Sequence, residues 1–279
     1  MQIYHHIGYI CDLKEIMLKS KDSLGDRMKF FYEDAYRLHL PRRMPVIVRY
    51  DGKSFHSYTK SCKKPIDKDL VDCMNETAIY VCKNVQGCKL GYVQSDEVSL
   101  LITNYDKLET DCYFDNNIQK IVSVISAMAS SHFTSISSKI FGQIKLAQFD
   151  ARAFVIPKEE VNNYFIFRQV DATRNSVQML ARTLYSHKQL DNKANSELQD
   201  LCMKKGVNWN DCPTSQKRGR CIIKTKTLKE GKNHLTGEST YFERSEWVVD
   251  NEIPIFSKDT SYINKYLLTD IQKELNQIP

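Results

Sequence analysis

Residues 88–104 read "CKLGYVQSDEVSLLITN", two apolar runs held apart by the polar tetrad "QSDE" at 94–97. Short runs rich in β-branched and aromatic residues on either side of such a tetrad predict a β-hairpin. Upstream, "PVIVRY" (45–50) reads as a strand buried on both faces, because it is apolar without alternation. Between the two, Asp67 stands where a helix cap is expected, and Leu70, Val71, Met74, Ala78, Val81, Cys82 and Val85 follow at helical spacing. Downstream, Ile118, Ile121, Val122, Ile125, Met128, Ala129 and Phe133 mark a second amphipathic helix over roughly 116–138. A fourth strand, "QFDARAFVIP" (148–157), completes the series.

The order is β-α-β-β-α-β, which predicts an α+β fold of the ferredoxin-like kind. Its antiparallel four-stranded sheet carries both helices on one face. The remaining half is helix-rich: a helix from Glu159 to Tyr185, then "NSELQDLCMKKG" with Gly206 as its stop. Strands resume at "RCIIKTKT" (220–227) and "TYFERSEWVV" (240–249), paired across "KEGKNHLTGE". Three segments follow: an extension over 1–22, a core over 23–157, and a region over 158–279 that either joins the same sheet or stands apart.

Composition sets outer limits. Of 279 residues 42% are hydrophobic and 27% charged, with fifteen Tyr and twelve Phe, which excludes wholesale disorder. No apolar run is long enough to span a bilayer, so no membrane partner is expected. Nine irregularly spaced cysteines without a C-x-x-C point to reduced, partly buried thiols. The first twenty residues lack a secretory pattern and contain acids but no Arg, so a cytoplasmic location is expected over a mitochondrial one. Net charge is +6, yet 204–232 alone holds nine Lys/Arg against Asp211 and Glu230. That local surplus of seven fits either a nucleic-acid contact or a solvated surface.

The chemistry concentrates at "RYDGKSFH" (49–56). A phosphate loop is excluded, because the glycine required five positions before Gly52 is Ile47. Taken singly, Asp51, Asp96 and Glu97 are turn residues. Taken together in this topology they are hard oxygen ligands on adjacent strands, suited to Mg²⁺ with substrate phosphates completing the shell. Arg49 and Lys64 lie near enough to meet a triphosphate at the first helix N-terminus, although Lys64 alone reads as a solvated loop lysine. His56 near the turn is equally a structural histidine. No Ser/His/Asp or Cys/His set marks a covalent nucleophile.

Six ordered stretches, "VRYDGKSFHSYTK", "KKPID", "GYVQSDEVSLL", "FDARAFVIP", "YFIFRQVDATRNSV" and "GVNWNDCPTSQKRG", resemble the tRNA-His guanylyltransferase superfamily over roughly Ser23 to Lys226. These enzymes add nucleotides to RNA 5′ ends in the 3′-to-5′ direction on a polymerase-like palm. The resemblance implies two Mg²⁺ ions held by Asp51, the Gly52 backbone and Asp96, with Glu97 supporting. It implies a nucleotide site comprising Arg49, Gly52, Lys53, Ser54, Phe55, His56, Lys64, Asp67, Ser95 and Asn175, with ATP and GTP or other NTPs as substrates. Asp150, Arg152, Arg168, Asp171, Lys217, Arg218 and Gly219 match later motifs that form nucleotide and RNA sites, and tRNA and a homotetramer are the implied partners. Enzymes dedicated to tRNA-His in eukaryotes carry His-Ile-Asn-Asn-Leu-Tyr-Asn after Arg-Gln-x-Asp, where this chain has "TRNSVQM" (173–179). That departure is similar to the "-like protein" branch, which implies templated repair of 5′-truncated tRNAs. The alternatives are addition of a single G to tRNA-His, a palm-type nucleotide cyclase or dinucleotide synthase, and a non-catalytic RNA-binding protein.

Overall fold

A computed structural model describes residues 23–232 and 239–268. The chain divides into two compact units, 1–39 and 40–279. In the first, Ser23 caps a helical turn, Leu24–Met28, by accepting from Asp26 N–H, and Arg37 pairs with Glu33 and Asp34.

The second unit is built on one sheet. Strand β1 (Val46–Gly52) leads through helix α1 (Lys68–Asn84) to β2 (Cys88–Gln94) and β3 (Glu97–Ile102); helix α2 (Ile118–Phe141) then leads to β4 (Phe149–Val155). Helix α3 (Lys158–Leu184) and helix α4 (Asn195–Lys204) precede β5 (Arg220–Lys232) and β6 (Ser239–Asp250). The sheet order is β4-β1-β3-β2-β5-β6, antiparallel throughout. The first four strands form the expected ferredoxin-like sheet. The strands of the second half do not stand apart: β5 pairs with β2 from Leu90↔Ile223 to Val93↔Arg220 and extends the same sheet.

Both sheet faces are apolar because strand side chains alternate and each face has its own cover. Val46, Val48 and Tyr50 turn toward α1 and α2, where Met74, Ala78, Ile125 and Phe133 meet them. Ile47, Leu90 and Leu101 turn the other way, against Val161 and Phe165 of α3 and against Ile253, Phe256 and Ile263. The α1 start is fixed by Asp67, whose Oδ1 accepts from Asp69 N–H (3.0 Å) and Leu70 N–H (3.3 Å). Asn117 caps α2 by accepting from Lys120 N–H at Oδ1, and Gly142 closes that helix at a left-handed φ of 67°. The cysteine expectation agrees with the fold: Cys73, Cys82 and Cys221 are buried and unbridged.

Candidate nucleotide and metal site

The sheet ends in a row of acids. Register sets Asp51 of β1 directly opposite Glu97 of β3 on one side and Asp150 of β4 on the other. Residues directly opposite on neighbouring strands share a face, so three carboxylates from distant parts of the chain lie side by side across the strands. Ser95 and Asp96 form the two-residue turn between β2 and β3, with Ser95 at φ 48°. Such a turn needs positive φ to match the strand twist, and it lifts Asp96 beyond the strand end, next to Asp51.

The crowding shows in the charges. Burial raises the Asp51 carboxyl above its usual range, Asp150 and Glu97 push it further, and Arg152 and Arg49 draw it back. Asp96 is raised by burial and by Asp51 and Glu97, against hydrogen bonds from its own backbone and Ser95. Arg152 already bridges part of this negative charge, from Nη2 to Asp51 Oδ1 (3.0 Å) and Asp150 Oδ1 (2.8 Å).

Among the described residues no three Asp, Glu, His or Cys side chains close around one point. Two carboxylates nevertheless suit Mg²⁺, which keeps several waters and takes substrate phosphates as further ligands. Asp51 and Asp96 supply hard oxygens that repel one another until a cation lies between them. The donor set fits the ion.

Gly52 follows Asp51 for a steric reason. A Cβ there would lie 2.0 Å from the Phe55 ring, which packs against Tyr58, Phe133 and Phe149 at centroid distances of 4.9, 5.3 and 5.0 Å. Phe55 is 5% exposed. It lines the cleft all the same, and its ring also anchors the loop after β1.

The acids open onto a cleft of about 1060 Å³ running from α1 to α3. Arg49, His56, Lys64, Asp67, Ser95, Arg152 and Asn175 line it, as do Asp51, Asp96 and Glu97. Arg49 Nε is buried without an acceptor. Lys64 is exposed, with Nζ on Thr59 C=O, and His56 Nε2 lies 3.0 Å from Ser57 Oγ. Lys53 is drawn aside toward Gln148 Oε1, and Ser54 takes a left-handed φ of 55°; neither lines the cleft.

Arg168 is turned toward the protein's own acids. Arg168 is buried at 6% exposure and grips Glu97 with two hydrogen bonds, Nε–Oε1 2.7 Å and Nη2–Oε2 2.6 Å; Nη2 also meets Asp171 Oδ2 at 3.1 Å. A guanidinium so occupied positions Glu97 beside Asp51 and leaves little for a phosphate. Asp171 in turn holds Arg174 and Asn175. In the basic segment, Lys217 Nζ donates to Asn210 C=O, Lys226 pairs with Glu243, and Arg220 is buried at 4% exposure. The Arg218 carbonyl accepts from Tyr92 O–H at 2.7 Å. Gly219, at φ 81°, has no room for a side chain, since Tyr92 Oη and Val93 O lie 2.7 Å from a notional Cβ.

Gln94, Met179, Arg182 and Arg220 are among the wall residues that local sequence gave no individual role. Gln94 Nε2 donates to Glu97 Oε1 at 2.9 Å, and only its place next to "SDE" marked it.

A family model described as tRNAHis guanylyltransferase matches residues 25–157. A solved bacterial tRNA(His) guanylyltransferase-like protein in complex with ATP is 48% identical, with a TM-score of 0.79 over 89% of this chain and 100% of that one. A bacterial protein of the same description in complex with GTP is 47% identical, with a TM-score of 0.72 over 88% of this chain and 99% of that one. The tRNA(His) guanylyltransferase of Candida glabrata is 27% identical over 218 residues, which is 70% of this chain and 90% of that protein.

Proposed function

The chain belongs to the tRNA(His) guanylyltransferase family of nucleotidyltransferases, and from that premise we propose that it adds nucleotides to 5′-truncated tRNAs, in the 3′-to-5′ direction, under the guidance of the opposite strand. The observation that carries this reading is the meeting of Asp51 and Asp96 at one sheet end, inside a cleft lined by Arg49, Lys64 and Arg152. A repair role over addition of one G to tRNA-His is supported by "TRNSVQM" (173–179), whose Asn175, Ser176 and Met179 line the same cleft.

Two reactions follow in order. The RNA 5′-phosphate attacks the α-phosphorus of ATP, an anhydride oxygen leaves as pyrophosphate, and a 5′-adenylylated end results. The 3′-hydroxyl of an incoming NTP then attacks the RNA 5′-phosphorus, forming the phosphodiester and releasing AMP. Two Mg²⁺ ions held by Asp51, Asp96 and the Gly52 backbone would lower the hydroxyl pKa and neutralise charge on phosphorus. Arg49, Lys64 and Arg152 bind and orient phosphates. Arg168 keeps Glu97 oriented next to Asp51. In this reading the region from 158 onward completes the nucleotide and tRNA sites. The working form is a homotetramer in the cytoplasm. No helix among the described residues is long and apolar enough to cross a membrane.

The test supplies 5′-truncated tRNA, ATP, NTPs and Mg²⁺ to folded protein. Extension that follows the pairing base is the expected result; no extension across several tRNAs overturns the reading. If a tRNA lacking a pairing base gains one G equally well, the tRNA-His activity is the correct one.

A further inference from the structure

Arg220 is a buried cation without an ion-paired carboxylate, Asp72 acting on it only through space. Its Nε donates to Asn75 Oδ1 and its Nη2 lies 3.5 Å from Val71 C=O, both neutral acceptors on α1. No carboxylate among the described residues forms an ion pair with it. Burial pulls the guanidinium down to about 10, so it stays charged at neutral pH. Leaving such a group unpaired is costly in a low-dielectric interior. Arg220 nevertheless lines the cleft, beside Leu70, Val71 and Met74 of α1.

We propose that Arg220 reads the nucleobase of a purine nucleoside triphosphate on the α1 side of the cleft, favouring guanine over adenine. The proposal rests on the reading of this cleft as a nucleotide site and adds a protein contact that biases the purine bound before the opposite strand selects. Aliphatic walls with one polar group between them suit a flat heterocycle, whereas a phosphate calls for several converging donors. Arginine offers donors only. Guanine presents two adjacent acceptors, O6 and N7, while adenine sets a donor amino group beside N7 and turns one half of the fork away. Asn75 occupies Nε and so fixes the plane of the fork.

The experiment titrates GTP and ATP separately into the full-length protein with Mg²⁺ and no RNA, by calorimetry. Wild type binds GTP more tightly than ATP. Arg220→Met, which conserves bulk, weakens GTP by about tenfold or more and ATP by less than about threefold. Asn75→Ala keeps the charge but frees the fork, and it lowers GTP affinity in the same direction by a smaller factor; it decides the matter if Arg220→Met does not fold. Equal losses for both nucleotides would assign Arg220 to phosphate, and unchanged affinities would make it a structural residue; either result overturns the proposal. A wild-type protein that binds neither nucleotide would instead overturn the nucleotide reading of the cleft, and this proposal with it.

Discussion

Arg168 and Arg220 are both buried against the cleft, one on its α3 side and one on its α1 side, in opposite electrostatic circumstances. Burial works against the charge of Arg168, but its hydrogen bonds to Glu97 and the nearby Asp171 outweigh it and raise the group above its ordinary range. Arg220 hydrogen-bonds only to an amide and a helix carbonyl, and burial lowers it against the weaker pull of Tyr92 and Asp72. A buried arginine with its carboxylates in place belongs to the scaffold: it orders the acids of the protein itself. One without them is held ready for acceptors that arrive from outside.

The reference for both is the acid pair. Asp51→Ala or Asp96→Ala is expected to reduce 5′ addition to background in the truncated-tRNA assay while the melting temperature holds. Near-normal activity in either variant would detach the arginines from any metal-centred chemistry. Next in size, Arg168→Met strands a mostly buried Glu97 carboxylate and is expected to cost about 3 kcal/mol in denaturant unfolding. Adding Glu97→Gln to it should recover part of that loss; if the double variant is no better than the single, Arg168 is not there for Glu97.

Gly219→Ala tests the wall that presents Arg220. Its φ of 81° and ψ of −170° fall in a region nearly reserved for glycine, so a loss of about 1–3 kcal/mol is expected, with weaker GTP binding in the same preparation. The smallest effect belongs to the start of α1. Asp67→Ala removes a cap worth about 1 kcal/mol. Burial tends to raise the Asp67 carboxyl, but the N–H groups of Lys63, Leu70 and Asp69 prevail and hold it below its ordinary 3.8. Since the folded value is depressed, its contribution is fully present above about pH 4 and disappears as pH falls through the folded value. Stability of the wild type and of Asp67→Ala should therefore converge in acid; a gap unchanged down to pH 2 would refute the assignment.

How much of this was legible beforehand follows from the range of each interaction. The helices, the 95–96 turn and the Asp67 cap depend on residues a few positions apart, so periodicity and turn chemistry revealed them. Asp51 and Asp96 became a pair once the strand order was known. The partnership of Arg168 with Glu97 spans 71 residues, and that of Arg220 with Asn75 spans 145. Within local sequence each arginine looks like any other cation on a polar stretch, and Arg220 was simply one charge in a basic run. The continuation of the sheet by β5 is hidden for the same reason, because strand pairing across more than 120 residues leaves no mark on either strand.

The sheet with two apolar faces has a consequence for anyone who would transplant this site. Residues 25–157 contain Asp51, Asp96, Glu97 and Asp150 and the helices that cover one face. Cut out as a module, they would leave Ile47, Leu90 and Leu101 open to water, without Val161, Phe165 and Phe256 to shield them. Such a fragment would stick to itself before it met any substrate. The acids proposed to hold the metals are therefore not a portable cassette: whatever lineage or designer borrows them must take the C-terminal half as well.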